Sequence, residues 1–255
     1  LAPDGLLFGS AARNAGTSVH SVKLKLRENP PVPELDGMRA DRVAFELIGE
    51  AVRRALEALK RENRLPASTE RLEVATNVGC TPKFDLDARR GLLGICRGVG
   101  LKVGLADLIE EPVAGAFEVA YAGIGRDGAT MIIDIGGGTL DVAVMEVSGH
   151  GGRFVIHTTG GEELGGDRFT QIIVDDLMER MRARVGDAAE RLDRQATTAL
   201  WNRAETAKIA LSTQSEIRVA LPVPGDPEET VNREWFLGAS QGLLARIVSF
   251  VTTTY

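Results

Sequence analysis

One stretch constrains this chain more than any other: Asp134-Ile135-Gly136-Gly137-Gly138-Thr139-Leu140-Asp141. It lies between two runs of strand character, Met131 to Ile135 and Leu140 to Val147, so the glycines close a turn. A hairpin turn is commonly met by a pair of glycines. Three in a row permit positive φ and leave no Cβ to hold a ligand away from backbone N–H groups, which points to a loop wrapped on phosphate. Asp134 can hold a hydrated magnesium ion or orient a water, and Thr139 can hydrogen-bond a terminal phosphate. No Gly-Lys-Ser/Thr follows, so this is not the Walker loop.

The rest of the chain is ordinary globular material. Its 255 residues are 44% apolar and 26% charged, which excludes a disordered, collagenous or coiled-coil chain and leaves one large domain or two small ones. The net charge of −6 argues against general nucleic-acid binding, since no excess of positive charge exists to release phosphate counterions. Cys80 and Cys96 are too few and too far apart for a disulfide framework or a zinc site; they are expected to be small buried apolar residues in a reducing cytoplasm. His20, His150 and His157 have no shared metal spacing. No run of about 18 apolar residues and no signal pattern is read, so no membrane partner is expected.

Helical and strand patterns alternate, which gives an α/β class. A strand-like piece at Leu24 and Leu26 is followed by the breakers Pro30, Pro31 and Pro33. Ala40 to Asn63 is expected to be a helix with Val43, Leu47, Ala51, Leu56 and Leu59 on its apolar face. Leu72 to Val78 reads as a strand, Ala88 to Val99 as a helix, Leu105 to Ile109 as a strand, and Pro112 opens a further helix. After the glycine turn, Arg153 to Thr158 completes an antiparallel meander. A long helix from Asp167 puts Phe169, Ile172, Ile173, Leu177, Met181 and Val185 on one face, while its Met178 to Arg184 stretch reads as a solvated side. Leu200 to Leu211 is another helix, Ile217 to Val223 a strand, and Trp235 to Val251 a last amphipathic helix. The turn region Gly123 to Gly128 is the expected meeting point of two lobes, residues 1–122 and 123–255.

Three further clusters could carry chemistry. Gly160-Gly161 and Leu164-Gly165-Gly166-Asp167 open the long helix, either as a second phosphate cradle at a helix N-terminus or as a plain loop with Asp167 as N-cap. Glu110-Glu111-Pro112 is either N-terminal charge on a helix or, through Glu111, a holder of metal-bound water. Glu205 and Lys208 share a helix face, as a surface ion pair or as a grip on ribose hydroxyls.

Taken together, the order Glu-Pro, Asp-x-Gly-Gly-Gly-Thr-x-Asp, Leu-Gly-Gly-Asp-x-Phe and Glu-x-Ala-Lys-x-x-Leu-Ser resembles the nucleotide-binding domain of the seventy-kilodalton heat-shock chaperones. Gly9-Ser10-Ala11-Ala12-Arg13-Asn14 and Val19-His20-Ser21-Val22-Lys23 extend the resemblance, which covers about Leu7 to Ser215. It implies the actin-like ATPase fold, two ribonuclease H-like lobes of mixed sheets flanked by helices around a nucleotide cleft. It implies ATP or ADP with Mg2+ as cofactors, nucleotide-driven lobe closure, a cytoplasmic stress-response setting, and co-chaperone or nucleotide-exchange partners. By position, Lys23 would approach the γ-phosphate, Glu111 would place the metal-bound water, and Asp134 would face the attacking water and the metal. Gly136, Gly137, Gly138 and Thr139 would wrap the phosphates, Gly165 and Gly166 would approach from the opposite lobe, and Glu205, Lys208 and Ser212 would hold the adenosine.

The departures shape the expectation. The family's Asp-x-Gly-Thr hairpin and its adenine-binding Gly-Gly-Ser segment are absent from the sequence, Lys25 to Asp36 is short, and Val78-Gly79 stands where the family has Val-Pro. No peptide-binding domain is expected within these residues. The chain is therefore expected to be a fragment or trimmed member that hydrolyses ATP weakly. The alternative is an actin-like filament protein of the bacterial rod-shape type, whose spelling Glu-Glu-Pro and Gly-Gly-Asp-Arg-Phe share.

Overall fold

The computed structural model describes residues 22–26, 31–32, 37–65, 74–122, 127–148, 153–186, 192–225 and 227–254. Residues 9–14, 19–21 and 123–126, together with Pro30, Pro33, Leu72 and His150, lie outside the described residues. Packing divides the described chain into two compact units, one of residues 22–134 with 141–161, the other of 135–140 with 162–254. The boundary expected at residues 122/123 falls within the first of these.

The first unit begins with a single helical turn, α1 (Val22–Lys25), where alternation suggested a strand. Four residues are too few for a period of two to outweigh a turn, and the Leu26 N–H closes it on the Lys23 carbonyl at 3.2 Å. A short antiparallel pair, β1 (Pro31–Val32) and β2 (Met38–Arg39), leads into α2 (Ala40–Arg61). The buried face of α2 runs along Ala40, Val43 and Ala44 and continues to the half-buried Ile48 and Val52, so Leu47 and Ala51 point outward, against expectation. The cause is the approach of α3 (Leu86–Gly98): Phe45 lies so close that a Cβ on Gly98 would meet its ring at 2.8 Å.

The expected strand from Leu72 to Val78 splits into β3 (Val74–Ala75) and β4 (Val78–Cys80). Each pairs in parallel across α3, β3 with β5 (Leu101–Lys102) and β4 with β6 (Leu108–Glu110). A helical crossover is the connection that parallel strands require. Asp85 caps α3 by accepting from the Ala88 N–H at 2.9 Å, and Leu92, Leu93 and Cys96 then pack on Cys80, Phe84 and Val103. The expected strand at Leu105 becomes a tight turn over Leu105–Asp107, held by Gly104 N–H donating to Asp107 Oδ2 at 2.7 Å, before β6 begins. Pro112 sits in the first turn of α4 (Glu111–Tyr121), as its fixed φ favours.

Strands β7 (Gly128–Ile135), β8 (Leu140–Ser148) and β9 (Arg153–Glu162) form one sheet in that order. The four-residue link between β7 and β8 makes that pair antiparallel. Leu140 to Met145 are buried without alternation, the mark of a central strand covered on both faces. Met145 and Val147 meet Ala116 of α4, with Ile132, Phe154 and Ile156 around them.

The second unit packs α5 (Gly166–Val185) and α6 (Arg194–Ala210) on a two-stranded ribbon, β10 (Glu216–Ala220) and β11 (Glu228–Asn232), followed by α7 (Arg233–Thr254). Strand β11 was not anticipated, because in Glu-Glu-Thr-Val-Asn only Val231 points into the core. The arginine-rich face of α5 is also more than solvated. Arg180 and Arg184 both hold Glu229 of β11, and Arg180 further pairs with Asp176 at 2.8 Å. Burial raises the Asp176 carboxyl above its usual range, against the pull of Arg180. Along α7 only Ser240 is buried, while Leu237, Leu244 and Val248 are exposed. By length and composition this helix could cross a membrane, where the sequence suggests an amphipathic helix because Gly, Ser and Gln interrupt its apolar residues.

Leu177 is fully buried where α5, α6 and the ribbon meet. Leu177→Ala removes methyl groups from a site that cannot collapse without moving both helices, so a loss of about 2–5 kcal/mol is expected in urea unfolding.

Candidate functional site

The two glycine clusters, Gly136-Gly137-Gly138 and Gly165-Gly166, are joined directly to one another. The N–H groups at the start of α5 donate into the β7–β8 turn: Gly166 to the Gly136 carbonyl at 2.9 Å and Asp167 to the Gly137 carbonyl at 2.7 Å. Gly165 N–H reaches the Gly138 carbonyl at 3.4 Å. A Cβ on Gly165 would stand 2.4 Å from the Gly137 oxygen, so only glycine lets the two loops meet. Both clusters belong to the second unit.

This geometry also corrects the reason given for the second cluster. A helix N-terminus attracts anions through N–H groups without partners. Here the Gly166, Asp167 and Arg168 N–H groups are already spent, the last on Gly165 O at 3.1 Å. The unspent donors lie in the turn itself. Gly136 N–H closes the turn on Thr139 O at 2.8 Å, but among the described residues the N–H groups of Gly137, Gly138 and Thr139 find no acceptor. Three successive amides left this way are donors that an anion could take.

Lys208, expected to face either Glu205 or a ribose, lies under this clasp. Its Nζ donates to Gly166 O at 3.1 Å and to Thr170 Oγ1 at 2.9 Å, both in the first turn of α5. Thr170 is fully buried and was not anticipated, being an isolated threonine between apolar positions. Ser212 is exposed just past α6, and Ile209 beside it is 62% exposed.

In the first unit, Lys23 and Glu111 form an ion pair between α1 and the start of α4. Glu110 pairs instead with Arg89, Nη2 to Oε1 at 2.6 Å, which raises the arginine's pKa further. Asp134 is exposed near the end of β7. Asp141, the last residue of the motif, is 1% exposed and accepts from Thr81 Oγ1 at 2.7 Å. A Cβ on Gly161 would stand 2.6 Å from this carboxylate, so Gly161 gives Asp141 its room. The sequence signal for Asp141 was its place in the motif; that of Thr81 was too common to single out.

No group of three His, Cys, Asp or Glu side chains able to hold a metal occurs among the described residues. Cys80 and Cys96 are each 1% exposed, and burial pushes both thiols above their usual pKa.

A family model described as Hsp70 protein matches residues 58–254, and the chain belongs to the Hsp70 family. Chaperone protein DnaK of Thermotoga petrophila is 38% identical over 153 residues, covering 59% of this chain and 25% of that protein. Chaperone protein dnaK3 of Thermosynechococcus vestitus is 40% identical over 149 residues, covering 55% of this chain and 21% of that protein. DnaK of Elusimicrobium minutum is 34% identical over 139 residues, 54% of this chain and 22% of that protein. The chain thus spans about a quarter of the length of these curated relatives.

Two outcomes follow. Gly165→Ala must push the turn backbone aside, so a stability loss of about 1–3 kcal/mol is expected in denaturant titration. In the native protein both thiols should resist a colourimetric disulfide reagent at mildly alkaline pH and react at once in denaturant; rapid reaction of either in the folded state would contradict the burial described.

Proposed function

We propose that this chain is an ATP-binding, weakly ATP-hydrolysing nucleotide-binding domain of a chaperone-type protein. The carrying observation is the set of three amides, Gly137, Gly138 and Thr139, left without acceptors among the described residues in a turn whose Gly136 N–H is already spent on Thr139 O. Membership of the Hsp70 family supports the choice of nucleoside triphosphate over other anions.

On this reading, phosphate oxygens accept from the turn amides, and the Thr139 side chain adds a hydroxyl at the same place. Asp134 orients water for attack and, with Glu111 acting through water, would hold Mg2+, which when bound neutralises charge developing on the phosphates. Lys23 presents an ammonium to the γ-phosphate, its charge balanced until then by Glu111. Gly165 and Gly166 set the turn's position, and Glu205, Lys208 and Ser212 line the adenosine end. Positioning and electrostatics suffice for phosphoryl transfer, so no covalent nucleophile is needed. Closure of two lobes on nucleotide, a cytoplasmic setting and co-chaperone or nucleotide-exchange partners belong to the same proposal. The filament reading is not favoured, because the relatives found are chaperones.

Calorimetric titration with magnesium-ATP tests the proposal. The sequence lacks the Asp-x-Gly-Thr hairpin and the Gly-Gly-Ser segment. Missing two or three charge-assisted hydrogen bonds of about 1.5–3 kcal/mol each should weaken binding by several powers of ten relative to an intact relative. Heat that does not depend on the triphosphate would overturn the reading. Asp134→Asn should lower hydrolysis while leaving the melting temperature unchanged, because the side chain is exposed and has no partner among the described residues; a large thermal shift would mark the residue as structural.

A further inference from the structure

The N-cap residue of α4 does not cap its helix. Glu110 holds that position with extended backbone (φ −65°, ψ 134°), yet its side chain makes no bond to the first N–H groups of α4. Both carboxylate oxygens are used elsewhere. Oε1 accepts from Arg89 Nη2 of α3 at 2.6 Å, and Oε2 accepts from Thr159 Oγ1 of β9 at 2.6 Å. Arg89 is itself steadied, since its Nε donates to Phe84 O at 2.9 Å. The Arg89 and Glu110 side chains are only 24% and 23% exposed, so water competes weakly for either. One carboxylate thereby ties α3, β6 and β9 together at the peptide that leads into Glu111.

Charge gives this tie a purpose. Glu110 and Glu111 are adjacent, and Lys23 is within reach of that junction, paired with Glu111. A loose Glu110 carboxylate would compete with Glu111 for the same ammonium. Held by Arg89 on one oxygen and Thr159 on the other, Glu110 is neutralised without Lys23.

We propose that Glu110 is a positioning residue: clamped by Arg89 and Thr159, it fixes the peptide from which Glu111 emerges and reserves Lys23 for Glu111. The clamp stands on its own geometry; its consequence for hydrolysis rests on the nucleotide reading above. Replacing the clamp leaves the Lys23–Glu111 pair mobile, and a mispositioned pair lowers the chemical step more than binding.

Three variants test this: Glu110→Ala, which removes both contacts; Glu110→Gln, whose amide can accept from Arg89 and donate to the Thr159 hydroxyl; and Thr159→Val, which keeps the side-chain shape and frees one Glu110 oxygen. The first readout is competitive acylation of Lys23 relative to the other lysines of the same chain, with no nucleotide present. Labelling of Lys23 should rise about threefold or more in Glu110→Ala and in Thr159→Val, and return toward wild type in Glu110→Gln. The second is single-turnover hydrolysis with magnesium-ATP already bound. Glu110→Ala should slow it about tenfold while the dissociation constant moves less than about threefold. Unchanged Lys23 labelling in both Glu110→Ala and Thr159→Val overturns the clamp, and so does a Glu110→Gln variant as impaired as Glu110→Ala. Wild-type protein that neither binds nor hydrolyses ATP overturns the nucleotide reading instead, and the labelling alone then decides the clamp. Should Glu110→Ala fail to fold, Thr159→Val carries the same comparison.

Discussion

The hydrogen bonds from the first amides of α5 into the carbonyls of Gly136 and Gly137 organise the second unit. They fix where α5 begins, and with it which residues face inward. Ile173, Leu177 and Met181 follow at helical spacing and meet α6 and the β10–β11 ribbon. Lys208 reinforces the same point from below by holding Gly166 O and Thr170 Oγ1. The fixed start also leaves the Gly137, Gly138 and Thr139 amides without an acceptor among the described residues, open to a ligand or to water.

Much of this was legible in sequence, though partly for the wrong reason. Two glycine clusters flanked by Asp and Thr carried the family resemblance, and family membership agrees. The glycines at 165 and 166, however, serve the meeting of two loops: at Gly165 the obstacle to a side chain is the Gly137 backbone. A sequence pattern shows that a Cβ is unwelcome, but not which atom excludes it. Local periodicity failed where tertiary contacts chose between near-equal options. α1 is one turn long, the face of α2 is rotated by the Phe45–Gly98 contact, and β11 shows a single apolar residue to the core. The α/β class survived these errors because it depends on the long elements.

The carboxylates divide by environment rather than by spelling. Glu110 and Glu111 are neighbours of the same residue type, yet one is bonded to an arginine and a threonine and the other to a lysine. Asp134 and Asp141 bound the same glycine turn, one exposed and one buried against Thr81. On α5, arginines that read as solvated instead hold Glu229. Elsewhere the charges behave as a surface lattice: Arg53 and Arg54 hold Glu50 at a pKa of about 2, and both arginines remain exposed.

The joining of the β7–β8 turn to the start of α5 also sets an order of events in folding. Strands β8 and β9 lie between the two loops in the chain, so the turn can find its partners only after those strands have paired and brought the second loop round. Contacts between segments far apart in the chain are slow to form, and interactions made after the barrier slow unfolding more than they speed folding. A ligand seated on the turn amides would therefore act chiefly as a brake on opening, lengthening the lifetime of the finished state.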